Sequence, residues 1–309
     1  MTGPGTVVVT GAAGFIGRAV IVDLARRRDE VRPVVRIRRT GGPAGATAAG
    51  DLATIPEEAL AEIVDGAFAV VHLAGRTHAP DTAEAELRSA NVTSTERLAR
   101  AAARSGVPRF VLASSVKVNG ESTSPGRPFR PGDPPAPADA YARSKLDAEN
   151  ALLAAAGGTS MAPIVLRLPL TYGPRAKGNF ARLAAAVAAG YRLPLAAIDN
   201  RRSVLSLRNL ERALAAVLHA SPPPAGVHFV ADADSVSTAQ LARAIGGALG
   251  RPARLYSIPL PLLQIVGALT RRSAEVARLV SSLEVDTSSL VAATGWRPEP
   301  FAIEPGDVT

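Results

Sequence analysis

One stretch of the sequence carries a tyrosine and a lysine at a spacing that suits proton transfer. Tyr141 and Lys145 stand four residues apart in the run Tyr-Ala-Arg-Ser-Lys, so in a helix the phenol and the ammonium lie on one face. Reduction of a carbonyl needs a proton donor near neutral pH, whereas free tyrosine titrates at about pH 10. A neighbouring ammonium favours the phenolate and so lowers the pKa of the phenol. The spacing alone is common, but it makes the pair a candidate acid–base set.

A hydroxyl of the same candidate site follows an apolar run. Phe110-Val111-Leu112-Ala113 is typical of a buried strand and ends in Ser114-Ser115. The carboxyl ends of parallel strands face the ligand crevice of an α/β sheet, where Ser115 can hydrogen-bond a substrate oxygen as charge develops on it. The alternative is a simple turn after the strand. The order of the three signals favours Ser115, Tyr141 and Lys145 as the catalytic residues.

A glycine-rich loop near the start of the chain predicts a phosphate site. Gly11, Gly14 and Gly17 form a GxxGxxG pattern between the predicted strand Thr6–Thr10 and a helical stretch that begins at Phe15. Glycines permit the tight turn and the close approach of backbone N–H groups to a pyrophosphate at the helix N-terminus. The pattern therefore indicates dinucleotide binding.

The end of the second predicted strand bears on the choice of cofactor. An acidic residue there would hydrogen-bond the ribose hydroxyls of NAD, but the run Val34-Val35-Arg36-Ile37-Arg38-Arg39 contains none. Arg36 can instead form a charge-assisted contact with the 2′-phosphate of NADP, or it can be an ordinary exposed arginine. We therefore expect NADP as the cofactor, with NAD still possible.

The order of the predicted elements defines the fold that positions these residues. Short apolar runs alternate with longer helical stretches, which indicates βαβ units and a parallel sheet. The predicted class is α/β: a Rossmann-type doubly wound parallel sheet with helices on both faces and a smaller C-terminal substrate-binding lobe. Predicted strands are Thr6–Thr10, Val31–Ile37, Ala69–Leu73, Arg109–Ala113 and Ile164–Leu168, and predicted helices are Phe15–Arg28, Pro56–Val64, Glu84–Ser105, Ala140–Ala156, Phe180–Ala189 and Leu210–Ala220.

The pattern changes after Leu168, where loops rich in Gly and Pro separate the helical stretches. We predict an NAD(P)-binding domain over residues 1–168, to which a segment at about 203–230 returns. Residues 169–202 and 231–309 are predicted to form the smaller lobe.

Further motifs accompany these signals. Asp51-Leu52, His72-Leu73-Ala74-Gly75 and Arg167 followed by Tyr172-Gly173-Pro174 occur, with the glycine loop and YxxxK, in an order that resembles the extended short-chain dehydrogenases/reductases over nearly the whole chain. The resemblance implies a homodimer through two helices of the first domain. It also implies cofactor contacts from Gly11, Gly14, Phe15, Ile16, Gly17, Arg36, Asp51, Leu52, Leu73, Ala74, Gly75, Asn91, Ser114, Tyr141, Lys145 and Pro169.

A narrower resemblance concerns enzymes of nucleotide sugars. The segments 114–121, 177–180, 200–203 and 295–298 are similar to those of UDP-sugar C4 epimerases and of 4-keto-sugar reductases of the N-acetylquinovosamine type. The resemblance implies substrate contacts from Lys117, Asn179 and Arg202, the last two at the pyrophosphate, which an arginine fork and an amide suit. Both residues can equally be polar surface residues. His78 can reach the substrate or be a solvated loop histidine.

The chain departs from parts of that pattern. A 4,6-dehydratase carries an Asp–Glu pair after the catalytic hydroxyl, where this sequence has Val116 and Lys117, so we do not expect dehydration. The second strand ends in arginine, as in the NADPH-dependent dihydroflavonol reductase branch, and not in the acid usual in epimerases that retain NAD.

Composition excludes several other classes of function. The 309 residues include no cysteine, so thiol catalysis, disulfides and cysteine metal sites are excluded, and no other residues suggest a metal site. The net charge of +8 is compatible with anion binding or with a solvated basic surface. Aromatic residues are 4%, with no basic aromatic face for nucleic acid. The longest apolar stretch, 258–269, is too short to span a bilayer. We expect a cytoplasmic protein with neither nucleic acid nor membrane as a partner.

The leading hypothesis is an NADP-dependent oxidoreductase that reduces the C4 keto group of a nucleotide sugar, most simply a UDP sugar, with Tyr141 as proton donor. One alternative is a C4 epimerase, which uses the same residues but retains NAD. Others are an NADPH-dependent reductase of a non-sugar ketone and a non-catalytic, NADP-sensing protein.

Overall fold

A parallel β-sheet forms the centre of the molecule. The computed structural model of the chain describes residues 5–37, 40–77, 82–124, 126–270 and 273–308. With strands numbered along the chain, the sheet strands of this part are β1 Thr6–Thr10, β2 Val31–Val35, β3 Thr47–Ala48, β4 Ala67–His72, β5 Arg109–Ser115, β6 Ala162–Leu168 and β10 Gly226–Phe229. Their order is β10-β6-β5-β4-β1-β2-β3, and every neighbouring pair is parallel. The predicted Rossmann-type fold is confirmed.

Helices follow most of the strands. Their bounds are α1 Phe15–Arg26, α2 Glu57–Val64, α3 Glu84–Leu87, α4 Ser94–Arg104, α5 Ala140–Ala156, α6 Gly178–Ala188, α7 Leu207–His219, α8 Thr238–Ala248, α9 Leu260–Leu269, α10 Ser273–Val280 and α11 Ser288–Thr294. Among the described residues, no helix has both the length and the apolar character needed to cross a membrane.

Strand β1 shows how the sheet holds two layers of helices. Val7 and Val9 face one core, which α1, α7 and α11 cover, whereas Val8 faces the opposite core under α2, α4 and α5. Successive side chains of a strand point to opposite faces, so the continuous apolar run is explained by burial on both sides. Val8 and Val9 are completely buried, and each such valine contributes about 1.5–3 kcal/mol of hydrophobic stabilisation.

A smaller set of elements packs beside this sheet. Two short parallel ladders join β7 Leu170–Tyr172 to β9 Val204–Ser206 and β8 Arg192–Leu193 to β11 Arg254–Leu255. Phe180 of α6, Ile245 of α8 and Leu263 of α9 are buried together with Tyr172 in a core of their own. This is the part of the chain predicted to bind substrate, and the predicted division into domain and lobe stays a prediction.

Several boundaries differ from those expected. Strand β2 ends at Val35, so Arg36 and Ile37 lie beyond it on an exposed bend. The stretch predicted as one helix over Glu84–Ser105 contains a π-helical turn, Arg88–Thr93, between α3 and α4. Strand β5 continues to Ser115, and α7 begins at Leu207 because Ser206 caps it by accepting from the Asn209 N–H.

Candidate active site

The structure brings the predicted catalytic residues together at the carboxyl end of β5. Ser115 is the last residue of that strand, and Tyr141 and Lys145 lie one turn apart at the start of α5. The Tyr141 phenol is hydrogen-bonded to the Ser115 side chain. Asp139 fixes the beginning of the helix, because its Oδ1 accepts from the Ala142 N–H at 2.7 Å. The predicted hydroxyl–phenol–ammonium set is therefore present as a geometric unit.

Burial shifts the pKa values of both titratable members of this set. It raises the pKa of Tyr141 to about 12; the hydrogen bond with Ser115 opposes the rise and the Asp139 carboxylate adds to it. Burial also lowers the pKa of Lys145 to about 8, against the Glu149 carboxylate, which raises it. In the protein alone, Tyr141 is thus a neutral phenol that can donate a proton, and burial, not the expected effect of Lys145, dominates its pKa.

Lys145 lies close to the end of β5 and to the loop after β4. Its Nζ donates to the Ala113 carbonyl oxygen at 2.9 Å. A Cβ atom added at Gly75 would lie 3.5 Å from this Nζ and 2.8 Å from Asn91 Oδ1. The contact with Asn91 leaves little room for a larger residue at Gly75, and Lys145 Nζ lies at ordinary contact distance from this loop, which is predicted to line the cofactor.

Lys117 is held by two carboxylates. Its Nζ lies 2.7 Å from Glu121 and 2.6 Å from Asp139. Its backbone N–H donates to Ser115 Oγ at 3.3 Å. Because this bond occupies one acceptor site of the Ser115 hydroxyl, it favours an orientation in which the hydroxyl proton is offered to another group. The structure thus gives Lys117 contacts with the catalytic set, while its predicted contact with substrate stays a prediction.

A buried ion pair lies behind the catalytic strand. Glu149 and Arg167 are 2% and 3% exposed and pair at 2.6 Å, with a second contact at 3.1 Å. The Ser114 hydroxyl donates to Glu149, and Arg167 Nη1 donates to Asn119 Oδ1 at 2.8 Å. Ser114, predicted as a cofactor contact, thus directs its hydroxyl into this network. Such a fully hydrogen-bonded pair fixes the position of the strand end at which Ser115 stands.

A cavity of about 610 Å³ opens beside the glycine loop. Arg18 also lines it, although no sequence motif singles out that residue; its guanidinium donates to the carbonyls of Ala13 at 3.1 Å and Gly41 at 2.9 Å. The predicted cofactor residues that line this cavity are Gly11, Gly14, Arg36, Asp51, Leu52, Leu73, Ala74 and Gly75.

The glycine loop leaves the start of α1 open to an anion. Gly14 is the N-cap and supplies no side-chain hydrogen bond, so the first N–H groups of the helix are not satisfied by a cap. Gly11 has φ of +68°, and a Cβ at Gly17 would lie 2.3 Å from the Gly11 carbonyl oxygen. The loop and helix can pack in this way only with glycine at both positions. Phe15 and Ile16 pack against the adjoining core instead of lining the cavity.

The π-helical turn presents Asn91 to the loop after β4. Asn91 is completely buried; its Oδ1 accepts from the Arg76 N–H at 2.8 Å, and its Nδ2 lies 3.1 Å from the Arg76 carbonyl. The same Nδ2 donates to Ser144 Oγ of α5 at 2.9 Å. Asn91 therefore joins the loop to the catalytic helix. Among other predicted contacts, Pro169 is buried just beyond β6.

The remaining predicted substrate residues lie in the smaller lobe. Asn179 is exposed at the second position of α6, where its Oδ1 accepts from Arg182 at 2.5 Å. Arg202 donates through Nη1 to the carbonyls of Arg278 and Ser281, both at 2.9 Å. His78 lies outside the described residues. Within them, no group of three or more acidic or histidine side chains could hold a metal ion.

The open helix start, the glycine close contacts and the size of the cavity fit a dinucleotide. Together with the hydroxyl–phenol–ammonium set, they define a nicotinamide-dependent oxidoreductase of the extended short-chain type. The family model for the NAD dependent epimerase/dehydratase family matches residues 7–231, and the chain belongs to this family.

Individual relatives extend over almost the whole chain. A UDP-glucose 4-epimerase of Vibrio cholerae is 35% identical over 301 residues, which cover 96% of this chain and 91% of that protein. A dTDP-6-deoxy-L-talose 4-dehydrogenase (NAD(P)(+)) of Kitasatospora kifunensis is 29% identical over 84% of each chain. Among solved structures, MoeE5 in complex with UDP-glucose and NAD is 25% identical, with a TM-score of 0.77 over 98% of this chain and 97% of MoeE5.

Proposed function

We propose that the protein reduces the C4 keto group of a nucleotide sugar, most simply a UDP sugar, with NADPH. The observation that carries the proposal is the Ser115–Tyr141–Lys145 set together with the cavity beside the glycine loop, which Arg18, Arg36 and Arg76 line. The family membership makes the chain an enzyme, which removes the non-catalytic alternative.

The bound cofactor supplies the hydride that C4 receives. Tyr141 donates its phenolic proton to the carbonyl oxygen, so the C=O π bond becomes one C–H and one O–H bond. Ser115 donates a hydrogen bond to the same oxygen as negative charge develops on it. The Lys145 ammonium then stabilises the Tyr141 phenolate until a proton from solvent restores the phenol.

Two cationic side chains support NADP as the cofactor. Arg36 and Arg18 both line the cavity, Arg36 just beyond β2 and Arg18 in the first turn of α1. Arginine offers a planar fork of donors that matches phosphate oxygens. We propose that Arg36 binds the 2′-phosphate with Arg18 beside it. The structural neighbour MoeE5 is described with NAD, so NAD use is the competing outcome.

The substrate class rests on the relatives and on the smaller lobe. The Vibrio and Kitasatospora proteins are named for UDP and dTDP sugars, and MoeE5 is described with UDP-glucose. We propose that Asn179 and Arg202 contact the pyrophosphate and that Lys117 lies at the sugar end. A reductase of a non-sugar ketone would not need Arg202, so Arg202→Gln should leave the turnover of such a ketone unchanged. A homodimer in the cytoplasm completes the proposal, and sedimentation analysis tests the dimer.

One observation favours a second candidate, a nucleotide-sugar C4 epimerase. The relative with 35% identity carries that name, and an epimerase uses the same phenol to remove and to return a proton. The cofactor of an epimerase is regenerated within each turnover and stays bound, whereas a reductase must exchange it.

The nucleotide content of the purified protein separates the two candidates. A reductase should lose its cofactor on desalting and rebind NADP more tightly than NAD. Arg36→Ala should weaken NADP binding by about 10-fold or more, as loss of a charge-assisted contact of about 1.5–3 kcal/mol implies, and should leave NAD binding unchanged. Near-stoichiometric NAD in the desalted protein would support the epimerase instead.

A further inference from the structure

Helix α9 presents an apolar face to solvent. The helix lies far along the chain from Ser115, Tyr141 and Lys145. Leu262, Ile265 and Leu269 are 50%, 55% and 80% exposed. Their spacing of three and four residues places them on one side of the helix. Leu263, about a quarter-turn round, is 8% exposed and packs into the core of the smaller lobe. The helix is therefore anchored by one side, while a second side, here named the α9 face, is left uncovered by the residues that the structure describes.

The sequence around the α9 face is cationic. Residues 251–272 include four arginines and no aspartate or glutamate. Arg192 of β8 and Arg254 of β11 are direct neighbours in the parallel ladder that precedes the helix, and both are exposed. Within the described ranges neither of these two guanidinium groups forms an ion pair with an acid. Two like charges side by side without a counter-charge attract an anionic partner.

Exposed tyrosines flank the same ladder. Tyr191 is 65% exposed and Tyr256 is 37% exposed, with the Arg192 guanidinium 5.7 Å from the Tyr256 ring centroid. Leucine and isoleucine on one helix face, with arginine and tyrosine close by in the fold, form the composition of a surface that rests in the headgroup region of a bilayer.

We propose that the α9 face and its arginines bind the surface of an anionic phospholipid membrane. The apolar side chains enter the boundary between headgroups and acyl chains, and Arg192 and Arg254 contact lipid phosphates. A ten-residue helix lies along such a surface and does not cross it. This revises the expectation that the protein has no membrane contact and is independent of the proposed reaction.

The charge pattern favours a membrane over a second copy of the chain. In a two-fold contact through α9, the arginines of one copy would face those of the other, and like charges at an interface oppose association. An anionic lipid surface instead offers a negative charge for each arginine. Exposed apolar faces of this kind mark interaction sites in folded proteins.

Vesicle co-sedimentation of the full chain tests the proposal. Vesicles of phosphatidylcholine alone are compared with equimolar phosphatidylcholine and phosphatidylglycerol. The protein should bind the anionic vesicles and bind more weakly at high salt. Leu262→Glu and Ile265→Glu should each reduce binding about 10-fold or more, because each removes apolar contact and adds repulsion. Arg254→Gln should reduce binding about fivefold, which corresponds to about 1 kcal/mol per basic residue.

Val22→Glu is the matched control, because Val22 is 49% exposed on α1 in the other part of the molecule. It should bind vesicles like the unchanged protein. Absence of binding to the anionic vesicles, equal binding to both vesicle types, or equal losses for Leu262→Glu and Val22→Glu would each overturn the proposal. So would sedimentation showing that Leu262→Glu dissociates an oligomer that forms without lipid. Unchanged Tm values for the variants exclude unfolding as the cause of lost binding.

Discussion

The side-chain amide of Asn91 contacts both backbone polar groups of Arg76, the N–H and the carbonyl oxygen. Oδ1 accepts from the Arg76 N–H at 2.8 Å and Nδ2 lies 3.1 Å from its carbonyl oxygen. Because Nδ2 also donates to Ser144, one amide ties the loop after β4 to the helix that carries Tyr141. The loop predicted to line the cofactor and the helix that carries Tyr141 are thereby joined by a single buried side chain.

Asn91→Ala should therefore weaken cofactor binding more than it weakens the fold. The change leaves the Arg76 N–H, which is part-buried, without its side-chain partner, at a cost of about 1–3 kcal/mol. We expect the Kd for the nicotinamide cofactor to rise about 10- to 100-fold, as measured by calorimetry. Asn150→Ala, at an exposed position of the same catalytic helix, should leave the Kd unchanged. Equal Kd values for both variants would show that Asn91 does not position the loop.

The close contact of the glycine loop with α1 predicts that one methyl group added at Gly17 destabilises the protein. Gly17→Ala would place Cβ 2.3 Å from the Gly11 carbonyl oxygen, so the loop must move. We expect a loss of about 1–3 kcal/mol in the free energy of unfolding, measured by urea denaturation, together with weaker cofactor binding. Gly247→Ala in α8 is the matched control. Its Cβ would meet no atom within 4 Å, so the control should gain about 0.5–1 kcal/mol.

His72 predicts how the stability depends on pH. It is completely buried, its Nδ1 is 2.7 Å from Thr10 Oγ1, and burial lowers its pKa to about 3, with the charge of Lys145 adding to the effect. A histidine with a lowered folded-state pKa contributes stability that is full above about pH 6.5 and is lost as the pH falls towards 3.

The free energy of unfolding should thus fall by about 1.4 kcal/mol per pH unit below pH 6 on account of this residue. Chemical denaturation at a series of pH values measures the slope. His72→Gln should reduce this slope by about 1.4 kcal/mol per pH unit. His219→Gln, at a histidine side chain that is 54% exposed, should not. A full slope in His72→Gln would show that His72 is not the group responsible.

The pKa of Lys145 predicts an alkaline limit of activity. Since burial lowers this pKa to about 8, the ammonium is present below that pH and is lost above it. kcat/KM should fall about 10-fold per pH unit above pH 8, as expected for loss of one required proton. Glu149→Gln should move the limit to lower pH, because the Glu149 carboxylate raises the pKa of Lys145. A steady-state profile measures it, with the exposed Glu58→Gln as control; identical profiles would contradict the assignment.

Much of the first half of the fold was predictable, because its strands are apolar runs between helical stretches. The run Val7, Val8 and Val9 predicts a strand buried on both faces, as the structure has it. Strand β3 was not predicted, because its two residues, Thr47 and Ala48, are both exposed and show no alternation of apolar and polar side chains. The strands of the short ladders in the smaller lobe contain two or three residues each. Such strands are too short for an alternation of apolar and polar residues to be recognised in the sequence.

The site was predictable where a motif is local. Ser115, Tyr141 and Lys145 could be chosen from two short runs of sequence, and the structure places them together. Arg18 could not be chosen from the sequence, because its place in the cavity depends on the loop that brings the Gly41 carbonyl close to its guanidinium. The π-helical turn at Asn91 carries no recognisable signal in residue types.

The proposed reduction is tested most directly by nicotinamide absorbance in a mixture of purified protein and a UDP-4-keto-6-deoxy-N-acetylhexosamine, with NADPH and NADH in separate samples. We expect stoichiometric oxidation that is faster with NADPH, that loses this preference in Arg36→Ala, and that is abolished in Tyr141→Phe. The contradicting result is no oxidation of either nucleotide by a protein that retains NAD and interconverts the C4 epimers of a UDP-hexose.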